Sequence, residues 1–170
     1  VYAFEQFAQN YIHFLENIRM NGTVNIIAEK LAVSEDEEDI DLYYERRSSN
    51  KGMVSAYKAG CDVCEKVPAV SLDHYFNNRR IDRVRLIKID IEGGEFGALK
   101  GMSNMLRDQH PSVLLEMNPD ILRAARINEA DINLFLRSLG YRKYFLDADG
   151  QLVPHKLPGD DSWNCVFCCD

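Results

Sequence analysis

The chain has 170 residues, 46% of them hydrophobic, enough for one domain with a sizeable core and too few for two. A net charge of −7 at pH 7, with lysines and arginines scattered instead of gathered in a stripe, argues against nucleic acid as a partner. No apolar run approaches the roughly 20 residues a helix needs to cross a bilayer, so no membrane segment is expected.

Val1-Tyr2-Ala3-Phe4 is a short apolar strand cut off by Glu5. It carries neither an initiator Met nor the basic start of a signal peptide, and reads as the opening of a piece of a larger protein. Phe7, Tyr11, Phe14, Leu15 and Ile18 recur at spacings of three and four, the stripe of a helix that packs its aromatics into the core and stops near Asn21-Gly22. Asn21-Gly22-Thr23 fits a glycosylation sequon, a pattern short enough to arise by chance. Residues 23–28 are β-rich and lead to Ala32-Val33-Ser34. The acidic run 35–41 reads as a solvated turn. Leu42-Tyr43-Tyr44 reads as a short strand with residues 53–57 as its hairpin partner, and residues 46–66 as a polar insertion.

Residues 67–73 lead into a short helix through Phe76. Residues 84–91 are almost continuously apolar, as in a strand covered on both faces. Phe96, Leu99, Met102 and Leu106 mark one further helix, ended by Pro111, and residues 112–117 supply another apolar strand. Asn128 with Asp131 resembles a capping box, opening a helix whose face is Ile132, Phe135, Leu136 and Leu139 and which Gly140 closes. Residues 141–146 and 163–167 read as the last two strands. No helix separates them, so one is expected to run antiparallel. Trp163 reads first as a core residue. Strands alternating with amphipathic helices make an α/β domain with a mostly parallel sheet.

The cysteines fall as Cys61-x-x-Cys64, Cys165-x-x-Cys168 and Cys169. Two such pairs are the raw material of a four-sulfur zinc site, but their separation lies far outside the usual ribbon spacing, and free thiols are the simpler reading.

Ligands of an open parallel sheet bind beyond the carboxyl ends of its strands. Three apolar strands here end on acid: the first on Glu5, the one from residue 84 on Asp90 and Glu92, the one from residue 112 on Glu116. Strand periodicity points Asp90 and Glu92 the same way, and likewise Glu116 and Asn118. The acids are therefore expected to converge on one crevice. Glu95, after Gly93-Gly94, reads first as a carboxylate set against a helix dipole. Lys88 shares strand parity with Asp90 and is expected to pair with it. Of the four histidines none has a spacing that marks it as catalytic; His74, after Ser71-Leu72-Asp73, is the first to test, although a surface role suits it better.

Val67-Pro68-x-x-Ser71-Leu72-Asp73, then Leu86-Ile87-Lys88-Ile89-Asp90-Ile91-Glu92-Gly93-Gly94-Glu95, Leu99-x-Gly101, Pro111 and a strand ending on Glu116 resemble the FkbM family of S-adenosylmethionine-dependent methyltransferases. Val1-Tyr2-Ala3-Phe4-Glu5, Leu15-x-Asn17 and Leu31-Ala32-Val33-Ser34 resemble it in the same order. The resemblance implies a Rossmann-like class I methyltransferase sheet, mostly parallel with an antiparallel C-terminal strand. It implies Glu5 as acceptor for the ribose hydroxyls of S-adenosylmethionine, Ala32 and Val33 flanking the adenine, and Asp90 with Glu92 near the methionine moiety and the methyl acceptor. The acceptor implied is a hydroxyl of a small molecule or sugar, with Asp90, Glu92 and Glu116 as candidate bases. A divalent metal activating that hydroxyl, with Asp90, Glu92 and Asn118 as the oxygen ligands it would use, is the less favoured route, and no metal site is assigned. The family's glycine-rich loop and first strand are missing, since no G-x-G pattern occurs; their place would be before Val1. A catalytically inactive, methyltransferase-like binding module and a zinc-stabilised structural domain are the rival readings.

Overall fold

The structure is a computed structural model that describes residues 1–44, 63–79, 81, 83–156 and 164–169. In chain order the elements are β1 (Tyr2–Phe4), α1 (Ala8–Met20), β2 (Ile27–Glu29), β3 (Ala32–Val33), β4 (Glu38–Tyr44), β5 (Val63–Val70), α2 (Leu72–Arg79), β6 (Leu86–Ile89), α3 (Glu95–Lys100), α4 (Ser103–Gln109), β7 (Ser112–Glu116), α5 (Pro119–Ala124), α6 (Glu129–Ser138), β8 (Arg142–Leu146), β9 (Leu152–Val153) and β10 (Asn164–Cys168). Residues 53–57, Cys61 and Trp163 lie outside the described residues.

The strands form three groups, ordered β1-β2, β6-β7-β10-β8-β9 and β3-β5-β4. The α/β class holds, but the expected mostly parallel sheet does not. Among the described residues β1–β2, β3–β5 and β6–β7 pair parallel, while β4–β5, β7–β10, β10–β8 and β8–β9 pair antiparallel. Parallel neighbours need a long crossover, which α1 supplies between β1 and β2 and α3 with α4 supply between β6 and β7. No helix separates β8 from β9, and they pair antiparallel. β10 inserts antiparallel between β7 and β8, as the absence of a helix between the last strands implied.

The main core lies around β6, β7 and β10. Leu99, Leu106, Val113, Leu115, Ile132 and Leu136 are fully buried in it. Tyr141 is buried with them, its hydroxyl donating to the Pro111 carbonyl at 2.9 Å. A second, smaller core gathers Phe7, Ala32, Leu42, Val67 and Ala69. Its existence explains why the run 35–41 is not wholly a turn. From Glu38 the chain is strand, and Ile40 and Leu42 alternate inward while the acids between them stay at the surface or its margin.

Two helices depart from expectation. No residue of α1 is buried: Tyr11, Phe14 and Ile18 are half-covered and Leu15 is exposed, with Phe7 alone, just before the helix, in a core. The Tyr11 hydroxyl donates to the Ala28 carbonyl at 3.2 Å, and a two-stranded sheet offers too little surface to cover the stripe. The single helix expected over Phe96 to Leu106 is broken into α3 and α4. The break is at Gly101, which passes so close under the chain that a Cβ there would sit 2.0 Å from the Ser34 carbonyl oxygen. Asp73 then starts α4 afresh, its two oxygens each accepting at 2.9 Å from the backbone N–H groups of Asn104 and Met105.

Between β1 and β6 runs an apolar slot of about 680 Å³, walled by Tyr2 and Phe4 on one side, Ile87 and Ile89 on the other, with Val33 and Phe76 among its further lining. Tyr2, Phe4, Tyr75 and Phe76 meet edge to face beside it. Glu29 ties β2 to α2 by accepting from the Tyr75 hydroxyl at 2.6 Å and from Arg79 at 2.8 Å.

Candidate active site

The parallel register of β6 and β7 places Ile89 beside Leu115, so the next residues, Asp90 just past β6 and Glu116 at the end of β7, stand side by side. Their carboxyls are close enough to interact directly, an arrangement that favours one proton held between them over two charges side by side. The effects on the two are opposite. The hydrogen bond from Glu116 holds Asp90 below the ordinary carboxylate range, and Lys88, 2.7 Å from Asp90 Oδ2, acts in the same direction. Glu116 is pushed up to about 7, first by that hydrogen bond, then by burial and by the charges of Asp90 and Glu92. The pairing of Lys88 with Asp90 expected from strand parity is therefore present.

The turn that follows is built on unusual backbone angles. Glu92 has φ 53° and Gly93 φ 104°. Glycine occupies such a conformation freely, whereas a glutamate is strained in it. The turn is held from inside by Glu95, the one charged residue in the core among the described residues, only 3% exposed. Its Oε1 accepts from the N–H groups of Gly93 at 3.1 Å and Ile91 at 3.3 Å. Glu95 therefore does more than face a helix dipole: it closes the loop around its own helix start. Its Oε2 is buried with no hydrogen-bond partner. Gly94 lies close against the Ile91 side chain, 3.1 Å from where its Cβ would be.

Glu92, Glu95 and Glu116 line one narrow crevice with Asn118, Ile121 and Leu122. Burial raises the pKa of Glu92, with the charges of Asp90 and Glu95 adding to the effect. Asn118 shares the crevice but has a structural duty as well, since its side chain caps α5 by accepting from the Asp120 N–H at 3.0 Å. Helix α5 went unread in the sequence, although Asn118-Pro119 carries both a capping residue and a proline at the first helical position. Its Ile121 and Leu122 form the apolar wall of the crevice.

Glu5 is at the end of β1, on the other side of the slot. Its Oε1 accepts from the Phe7 N–H at 2.7 Å, and its N–H donates to the Glu29 carbonyl at 3.0 Å. No hydrogen bond or ion pair among the described residues joins it to the Asp90 cluster. Val33 lines the slot, while Ala32 is buried in the second core. Ser71 and Asp73 are scaffold: Ser71 donates to the Gly101 carbonyl at 2.9 Å and Asp73 caps α4. His74 is at the surface, 3.1 Å from Glu37. Cys165, Cys168 and Cys169 form no disulfide. Among the described residues no group of three His, Cys, Asp or Glu side chains is placed to hold a metal ion, and no helix is long and apolar enough to cross a membrane.

Compared with known families, residues 1–143 match the one described as Methyltransferase FkbM domain. The fold is similar to the crystal structure of methyltransferase FkbM from Methylobacillus flagellatus KT. The TM-score is 0.61 at 17% identity, and the match covers 99% of this chain but 36% of that one. Comparison with curated proteins finds no significant match.

Proposed function

We propose, from the premise that this chain belongs to the FkbM methyltransferase family, that it carries the site of an S-adenosylmethionine-dependent enzyme that methylates a hydroxyl of a small molecule or sugar. The observation that carries this reading is the Asp90–Glu116 pair. Two carboxyls stand side by side at the ends of adjacent parallel strands, and their interaction pushes that of Glu116 up to about 7. A hydroxyl must lose its proton to accept a methyl group, and a base poised near neutrality is what that step needs.

When bound, S-adenosylmethionine supplies an electrophilic methyl group on a sulfonium. The residues present fit such a cation, since Asp90, Glu92 and Glu116 gather negative charge beside a buried, unpartnered oxygen of Glu95. Glu5 retains one carboxylate oxygen beyond that engaged with Phe7, and in this reading it accepts from the ribose hydroxyls. Val33 presents apolar surface to the adenine, and buried Ala32 contributes backbone. Glu116, once its own proton has gone to solvent, takes the acceptor's proton and then donates it in a hydrogen bond to ionised Asp90, while Glu92 orients the acceptor. Ile121 and Leu122 keep water from the reacting atoms.

The same reading places one further extended strand in the slot between β1 and β6. Two observations support it: the slot is lined mostly by apolar side chains, and among the described residues each of its two flanking strands has a sheet neighbour on one side alone. The chain is then a partial form of a methyltransferase sheet.

Calorimetric titration of the full-length protein with S-adenosylmethionine tests the reading. Micromolar affinity is expected, and absence of binding removes the proposal. With transfer of a labelled methyl group as readout, Glu116→Gln is expected to lose roughly 10²–10⁴-fold in kcat. Unchanged turnover would take the base assignment away from Glu116.

A further inference from the structure

The Asp90–Glu116 pair is chemically symmetric: two carboxyls, one proton, either of which is able to hold it. What breaks the symmetry is the surroundings. Lys88 is on the same face of β6 as Asp90, two residues earlier, and its Nζ is 2.7 Å from Asp90 Oδ2. Among the described residues no ion pair is made to Glu116, and Lys88 acts on it least of its charged neighbours. Its charged neighbours are Asp90 and Lys88 from β6 and Glu92 from the turn, and β10 sets neutral Asn164 opposite it. Glu95, beyond Glu92 in the same crevice, adds another acid and no cation.

We propose that Lys88 is a positioning residue whose ammonium, fixed against Asp90, keeps Asp90 as the ionised member of the pair and so assigns the shared proton to Glu116. The proposal rests on the reading of Glu116 as the base, and gives that reading a direction. A base must release its proton to become active, and here the proton leaves the carboxyl that faces the crevice with Glu92 and Asn118. Asp90, already ionised beside Lys88, remains an acceptor throughout. Without the lysine the proton would divide between the two carboxyls, and part of the population would carry it on the wrong one. The direction of the shifts agrees, with Asp90 lowered and Glu116 raised. The Lys88 and Asp90 side chains are 56% and 39% exposed, so the effect is screened and sensitive to salt.

The test is a site-resolved 13C NMR titration of the Asp90 and Glu116 carboxyl carbons, in the full chain without cofactor or acceptor. Its outcome is therefore independent of whether methyl transfer takes place. In the native protein the upper titration step is expected on Glu116 and little of it on Asp90. In Lys88→Met, with amide spectra showing the fold retained, the Asp90 midpoint should rise by roughly half a pH unit, and the upper step should spread onto Asp90. Lys88→Arg should restore the native division. If Lys88→Met does not fold, native protein in about 1 M salt gives the same reading, because a Debye length near 3 Å weakens the pair. An upper step on Asp90 in the native protein, or a division of the steps unmoved by both the substitution and salt, overturns the proposal.

Discussion

Among single residues Glu92 is the one whose backbone conflicts with its chemistry. A glutamate at φ 53° costs stability, and its burial beside Asp90 and Glu95 costs more. That strain is the motive for testing a functional role of its side chain. Glu92→Gly is therefore expected to raise unfolding stability by about 1 kcal/mol in chemical denaturation while lowering methyl transfer. A destabilised variant would mean that the glutamate side chain holds the turn. The carboxyl of Glu116 makes a second residue-scale prediction through pH. Its folded value is raised from 4.5 to about 7. Between those two values the folded protein keeps a proton that the unfolded chain has released, so Glu116 makes stability fall as pH rises through this window. Asp90, lowered in the fold, acts in the opposite sense and loses its contribution at acid pH, below the ordinary 3.8. Glu116→Gln mimics the protonated form. It is expected to melt with the native protein at pH 5 and above it at pH 8. Equal melting temperatures at both values would show that the pair does not hold its proton in solution.

At the scale of elements, the break between α3 and α4 fixes how β6 leads into β7. Gly101 allows two backbones to cross, and Asp73 supplies the hydrogen bonds that start the second helix. Gly101→Ala has no room for its methyl beside the Ser34 carbonyl and is expected to cost about 3 kcal/mol. Asp73→Ala removes both capping bonds and is expected to cost about 2 kcal/mol. Thermal melts of the two variants check this order, and a silent Gly101→Ala would mean that the Ser34 segment moves freely. These elements also show where a sequence is legible. The acid ends of β6 and β7 and the Asn128 cap of α6 depend on nearest neighbours and strand parity, and both could be read directly. The helix break depends on Ser34, distant in the chain, which no local periodicity records. The strand read at Leu42-Tyr43-Tyr44 is the end of β4; its first part was obscured because the acids there outnumber the apolar residues, although the alternation of period two was there. The aromatic stripe of α1 was read as core because periodicity shows that a helix has an apolar face, but not how much surface lies beneath it.

For the molecule as a whole, legibility of the site divides along the slot. Asp90, Glu92 and Glu116 could be brought together from sequence because β6 and β7 are adjacent and parallel. The inward turn of Glu95 was hidden in the backbone angles of the loop before it. The place of Glu5 relative to this cluster depends on what stands between β1 and β6, and there the described residues offer mostly apolar walls, with Arg83 and Lys88 among them. A slot of about 680 Å³ between two strands whose facing edges are unpaired among the described residues has two outcomes in solution. Either an extended segment pairs with both edges, or the edges find other chains. The 170-residue chain by itself is therefore expected to bind a hydrophobic dye and to associate with rising concentration, as sedimentation would show. Extending it at Val1 with an apolar strand that fits the slot should abolish both. Ile87→Lys, which puts a charge against the slot on β6, should reduce association without supplying cofactor affinity, because a lysine discourages edge pairing but fills no layer of the sheet. A short chain that stays monomeric and excludes the dye would mean that β1 and β6 close on each other. Glu5 and Asp90 would then sit on neighbouring strands, and the proposed further strand would have no place.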